Sequence, residues 1–325
     1  MPAVQHFFFL SKHCLMYCNN KRFRLFFTVA LLTSITVHAQ TDMDAIMMNK
    51  AQFCNGFVYN HSSWNQYWEG TLKRTNENIG TITTKSVMYM ANYGITDNLN
   101  IIAGAPYVWT EASAGTMKGM QGFQDVSLFV KWKPVTHKFG NNKLSLFVLG
   151  GYSTPLANYV VDHLPLSVGL GTKNLLGRGM VDFLHKRWNV TASAAYVRRS
   201  NVSIDRTAYY TTEMHYTKEV QMPDAAQYQL RAGYRGKYLL AEALLNNWTT
   251  LGGFDMTRNN MPFPSNRMNA TSAGVQLKYS WKSHPDLAFV AGGTTTLAGR
   301  NMGKATSFNI GAFYALNCKR QMQQN

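Results

Sequence analysis

From about residue 54 onward, apolar and polar side chains alternate with a period of two, not the 3.6 of a helix. Along 99–109, Leu99, Ile101, Ala103, Ala105, Tyr107 and Trp109 share one face. Along 123–134, Val126, Leu128, Val130 and Trp132 oppose Asp125, Ser127, Phe129, Lys131 and Lys133. The same division separates Ala226, Tyr228, Leu230, Ala232 and Tyr234 from Gln227, Gln229, Arg231 and Arg235. It recurs where Ala273, Val275, Leu277, Tyr279 and Trp281 oppose Gly274, Gln276, Lys278 and Lys282. Such segments are strands with one apolar and one polar face. Twelve are expected: 54–64, 82–93, 99–110, 122–134, 143–154, 174–184, 188–199, 224–235, 238–250, 270–282, 286–298 and 305–316. The 174–184 strand is weakened by Gly177 and Gly179, which leaves the count between 10 and 14.

The connections alternate in length. Short ones fall near 94–98, 137–142, 185–188, 235–237 and 283–286; long ones fall near 69–80, 111–121, 155–172, 200–223, 252–269 and 299–304. Alternation of this kind belongs to an all-β, transmembrane, up-and-down antiparallel barrel in a bacterial outer membrane, with tight periplasmic turns and long outer loops. Aromatic residues fall into two belts on the apolar face. Tyr107, Trp109, Tyr152, Tyr196, Tyr228 and Phe308 form the outer one, and Tyr93, Trp132, Tyr234, Tyr279, Trp281 and Tyr314 the periplasmic one. Amphipathic rings prefer the headgroup boundary. A soluble β-sandwich would share the alternation but not the belts. Composition agrees: charged residues are only 15%, aromatics 13%, and mean hydropathy is −0.22, which excludes disorder.

The first 39 residues read as a secretory signal peptide. Lys21, Arg22 and Arg24 precede the apolar run Leu25–Val37, and Val37-His38-Ala39 suits cleavage before Gln40; Met16 is an alternative start. Residues 40–53 are then a short periplasmic segment, 54–316 the barrel, and 317–325 a polar periplasmic tail. Net charge is +16; the presequence holds Lys12, Lys21, Arg22, Arg24 and no acid, so +12 remains. Export and the scatter of the charges argue against nucleic acid as a partner. The expected partners are a small-molecule cargo, outer-membrane lipid and the barrel-insertion machinery.

The stretch Tyr93-Gly94-Ile95-Thr96-Asp97-Asn98-Leu99-Asn100, followed by Gly104-Ala105-Pro106-Tyr107, resembles a hairpin of the outer-membrane family named for the MetA pathway of phenol degradation. Met47–Phe53 and Leu164–Lys173 fit the same resemblance, and the family is grouped with FadL-like transporters of hydrophobic compounds. The resemblance implies a transport barrel for small, largely apolar molecules. It departs from FadL-like barrels in a shorter segment before the first strand and fewer strands than their usual fourteen.

No cofactor or metal site is expected: the nine His lack ligand spacing, and the 17 Met read as gap-filling. Asp162, His163 and Ser167 share one outer loop, a weak basis for a rim hydrolase. The stronger signal is a basic lumen, with Lys131, Lys133, Arg231, Arg235, Lys278 and Lys282 inward and Asp125 and Glu242 as the main inward acids. Either an anionic end on the cargo or internal ion pairs would account for it. Met88 and Met90 also face inward. Gly104 and Pro106 predict a bulge or kink in the third strand, and the resemblance makes it a candidate lateral gate. Cys54 opens the first strand and Cys318 follows the last, so the two could pair across the barrel seam.

The functional expectation is an outer-membrane channel, not an enzyme. It would pass small hydrophobic or amphipathic molecules over Met88, Met90, Phe129, Lys131, Arg231, Glu242 and Lys278. The alternatives are a structural or surface-interaction barrel acting through its outer loops, and the rim hydrolase.

Overall fold

The computed structural model describes residues 41–258 and 260–318. The expected signal peptide and most of the polar tail lie outside the described residues. Twelve antiparallel strands close into one barrel: β1 Gln52–Trp64, β2 Ile82–Thr96, β3 Leu99–Ala112, β4 Asp125–Phe139, β5 Asn142–Pro155, β6 Asn174–His185, β7 Trp188–Arg199, β8 Ala225–Arg235, β9 Leu239–Thr250, β10 Asn269–Ser280, β11 Leu287–Arg300 and β12 Thr306–Asn317. Every strand pairs with its sequence neighbours, and β1 pairs with β12 from Gln52↔Asn317 to Ser63↔Thr306. The sheet therefore has no free edge, and its backbone groups find their partners within the wall along the paired registers. In hydrocarbon that is the condition for a sheet to exist at all.

The alternation read from the sequence is the wall's inside and outside. Leu128, Val130, Trp132, Leu175, Val181, Val275, Leu277 and Ile310 are exposed on the outer surface, whereas their neighbours Lys131, Arg178 and Lys278 are buried inside. An apolar band of that extent would be untenable in water and is at home among acyl chains. Strands of 11 to 15 residues, tilted, match the roughly 25 Å apolar band of such barrels. Rings meet at the short-turn rim, where Trp188 lies 5.7 Å from Tyr234 and Trp281 lies 5.9 Å from Phe289.

The long loops fold over the opposite end. Val161, Val202, Ile204, Val220 and Met222 form a buried cluster joined by Tyr159, Leu170, Tyr209 and Phe263. Leu166 is fully buried with Ile79 and Ile82, and its carbonyl accepts a hydrogen bond from Thr110 at 2.6 Å. The loop between β9 and β10 is tied down by Asp255, which takes a bidentate contact from Arg300 at 2.8 and 2.6 Å.

Two expectations are corrected. Residues 41–48 do not stay below the barrel; they enter its lumen, because buried cations there need acceptors. The cysteines do not pair. Cys54 is opposite Ala315 in the register, and both thiols are free. Cys318 lies three residues further on, about 10 Å along a strand, beyond the roughly 7 Å reach of a disulfide. The odd offset also turns the side chains to opposite faces of the sheet. Two predictions follow from this geometry. A chain starting at Gln40 should run identically on gels with and without reductant; a reductant-sensitive shift would show a bond. Arg300 holds the Asp255 carboxyl down to about 2, so its contribution is full above pH 4 and fades as pH falls toward 2. Asp255→Asn should therefore lower the melting midpoint slightly at pH 7, a loss of at most about 1 kcal/mol, and the difference should shrink as pH falls through 2.

Candidate functional site

Residues 41–48, the segment that leads into β1, lie across the lumen. Lys131, on β4, is 0% exposed. An ammonium so placed needs hydrogen-bond acceptors or a counter-charge. Residues 41–44 supply both: Lys131 Nζ donates to the Thr41 carbonyl at 3.0 Å, to the Asp44 carbonyl, and to Asp44 Oδ1 at 3.1 Å. From β6, Arg178 Nη1 donates to the Asp42 carbonyl at 2.9 Å and to Asp42 Oδ2 at 3.2 Å. From β8, Arg231 Nη1 reaches the Met43 carbonyl at 3.3 Å. The plug is thus held on one side of the barrel by three cations from three strands.

On the other side the contact is apolar. Met48 is buried among Cys54, Val58, Met90, Phe313 and Ala315, with Met88 and Val290 packed against them. On the cation side, Ala45 packs with Phe147 of β5 and Met180 of β6. A salt-bridged latch and a methionine-rich seal together fill the middle of the lumen.

Toward the short-turn end, a further ionic cluster closes the wall. Arg235 bridges Asp182 at 3.1 Å and Glu242 at 3.3 Å, and Arg231 Nε stands 3.5 Å from Glu242. Thr191 donates to Asp182 at 2.6 Å and Asn189 to Glu242 at 2.8 Å. Internal pairing accounts for much of the inward basic charge. The acids that do most of it, Asp42, Asp44 and Asp182, were not among those expected; Asp182 lies on the strand whose glycines made it least certain. Lys278 is buried, while Lys282 falls beyond the end of β10, exposed in the turn and 5.9 Å from the Tyr238 ring.

Nearer the outer loops a cavity of about 240 Å³ remains open. Phe129, Leu170, Leu176, Val197 and Trp248 give it apolar walls, and Asp125, Asn174 and Arg199 bring polar groups to it. The Asp125 carboxylate is capped by the Tyr159 hydroxyl at 2.7 Å. Burial and that carboxylate together raise the Tyr159 phenol above its ordinary range, so it remains a donor. Of the residues expected to line a cargo path, Phe129 borders this cavity; Lys131 and Arg231 hold the plug, Glu242 pairs within the ionic cluster, and Met88 and Met90 belong to the seal. A smaller neutral cavity of about 180 Å³ lies between Asn60, Gln276, Thr294, Ser307 and Asn309.

The ladder beside the larger cavity is interrupted at Pro106. β3 pairs with β4 from Leu99↔Trp132 to Gly104↔Ser127 and then with Gln121–Phe123 from Tyr107↔Phe123. Two residues of β3 thereby oppose three across the gap, and Gln124 N bridges it to the Pro106 carbonyl at 3.0 Å. Gln124 also lines the cavity. The hydrolase candidates do not assemble: Asp162 pairs with Arg206 at 2.8 Å, His163 Nε2 meets the Lys118 carbonyl at 2.9 Å, and Ser167 donates to Val160 and Gly169 carbonyls at 2.8 Å. Among the described residues no group of three His, Cys, Asp or Glu could hold a metal ion.

Comparison with known proteins agrees with this geometry. An outer membrane channel from Pseudomonas putida F1 is similar in fold, with a TM-score of 0.67 at 15% identity over 85% of this chain and 100% of that one. A FadL homologue of Pseudomonas aeruginosa aligns at a TM-score of 0.35 and 12% identity, over 82% and 92%. No curated protein matches by sequence. The family model named for the MetA-pathway of phenol degradation matches residues 66–311. With a closed twelve-stranded wall, a lipid-facing apolar band and that match over most of its length, the chain belongs to this family of outer-membrane barrels.

Proposed function

We propose that the barrel passes small, largely apolar molecules that carry a polar end, taking them from the outer loops into the chamber above the plug. The observation that carries the reading is the pairing of a chamber walled by Phe129, Leu176, Val197 and Trp248 with an internal plug held by Lys131 and Arg178. Apolar pockets with a few placed polar groups are how proteins hold small organic molecules. A structural barrel has no need of a chamber. A plain porin would leave its bore open.

The plug is a removable obstacle. Its hold is concentrated in two ion pairs and the Met48 contact. Removing one partner of a buried pair costs about 3–5 kcal/mol because the other charge is stranded. The Pro106 interruption offers a second exit, sideways into lipid, through the only part of the β3–β4 ladder bridged by a single residue. The cargo reading is supported by the chamber and by the family.

Purified protein in liposomes tests this. Small amphipathic solutes should enter faster than hydrophilic sugars of equal mass; equal exclusion of all solutes would contradict the proposal. In planar bilayers, deleting residues 41–48 or substituting Lys131→Met and Arg178→Met together should raise conductance at least several-fold, and unchanged conductance would show that the plug does not limit passage.

A further inference from the structure

Among the described residues Arg199 is the one cation that lines the outer chamber, and it makes no ion pair within 4 Å, although Asp224 attracts it from farther away. It ends β7, lines the cavity beside Leu170, Leu176, Val197 and Trp248, and is half-buried. Its Nε donates to the Pro223 carbonyl. Among the described residues no carboxylate comes within 4 Å of its guanidinium, in contrast to Arg178, Arg231 and Arg235 below. Asp224 beside the arginine and Asp125 in the chamber lining each hold hydrogen bonds of their own. Asp224 receives the Tyr196 hydroxyl on one oxygen and the Arg199 backbone N–H on the other, at 2.9 Å. Asp125 is capped by Tyr159 across the chamber.

A guanidinium beside apolar walls is poorly solvated and gains most from a planar anion that it can grip with two parallel N–H bonds. Carboxylate fits that description. The apolar lining selects what the carboxylate is attached to: Phe129 and Trp248 contribute aromatic surface, and Leu170, Leu176 and Val197 aliphatic surface. The volume, about 240 Å³, lies at the small end of organic-ligand sites. Asn174 and Thr172 add neutral polar groups near the arginine: Thr172 donates to Asn174 Oδ1 at 2.7 Å, and Asn174 Nδ2 is turned to Ser153 at 2.8 Å. They are therefore satisfied among themselves and compete little for an anion.

We propose that the chamber is a binding site for small monocarboxylates with an aromatic or short aliphatic body, with the carboxylate on Arg199 and the body between Phe129 and Trp248. The inference rests on the transport reading and narrows its cargo class. It assigns selectivity to a residue outside the basic cluster around the plug, whose cations already hold acids of this chain.

Trp248 supplies the probe. Its fluorescence, isolated by substituting the other tryptophans in groups, is titrated with phenylacetate and with its neutral counterpart 2-phenylethanol in detergent-solubilised full-length protein. Phenylacetate should bind at least ten-fold tighter than the alcohol. Arg199→Gln should remove that preference while leaving the alcohol's affinity within two-fold, and Arg199→Lys should restore part of it. Equal affinity for acid and alcohol, or a preference that survives Arg199→Gln, overturns the assignment. A variant that loses both ligands is resolved by gel mobility without heating: if the barrel is folded, the loss means the apolar walls and not Arg199 set affinity, and the proposal falls. Liposome entry separates this from the underlying reading. If phenylacetate enters as fast through Arg199→Gln as through the unsubstituted barrel, the transport reading stands and the carboxylate site fails; if no solute enters, transport itself fails.

Discussion

A peptide group in hydrocarbon has no water to bind, so each backbone donor in the wall must meet an acceptor in the wall. The β1–β12 ladder satisfies this by joining the two ends of the sheet. Everything else in the molecule is arranged around the cylinder that results. Closure forces successive side chains alternately into lipid and into a confined interior, and the interior of a twelve-stranded barrel is too narrow to leave inward charges independent of one another. They pair, or they find a partner on the segment threaded between them.

That confinement explains the internal electrostatics. Lys131, Arg178 and Arg231 would be prohibitively placed if the lumen were dry and unpartnered. The segment carrying Asp42 and Asp44 lies where it does because it offers carboxylates and free carbonyls at the height of those cations. Non-periodic backbone at membrane depth is tolerated only inside such a protein environment. The latch is therefore as much a solvation device for the wall as an obstruction of the bore. Above it the demands relax: the walls turn apolar, a chamber stays open, and Arg199 is left facing it.

Much of the architecture was legible in the sequence because lipid imposes a strict period of two. Leu128, Val130 and Trp132 on one side and Phe129, Lys131 and Lys133 on the other leave little choice of inside and outside. The strand 174–184 was harder to read, since Gly177 and Gly179 remove side chains from the lipid face and erase half of its alternation; Arg178 and Asp182 on the inward face were overlooked with it. The plug had no local signal. Thr41–Met48 has neither periodicity nor a turn motif, and its place is set by partners 90 to 190 residues away. The cysteine pair misled for a simpler reason: nearness of two strand ends fixes neither register nor the face a side chain takes. At Pro106 the ladder between β3 and β4 is interrupted, at a residue that has no N–H to give.

The central claim is that the barrel's own N-terminal segment occupies the lumen through a buried Lys131–Asp44 pair. Solid-state NMR of the protein in lipid, with labelled lysine and aspartate, tests it directly. A correlation between Lys131 Nζ and the Asp44 carboxyl carbon, absent in Asp44→Asn, is the predicted result. A Lys131 ammonium that correlates with water alone, with residues 41–48 showing isotropic mobile signals, would contradict it.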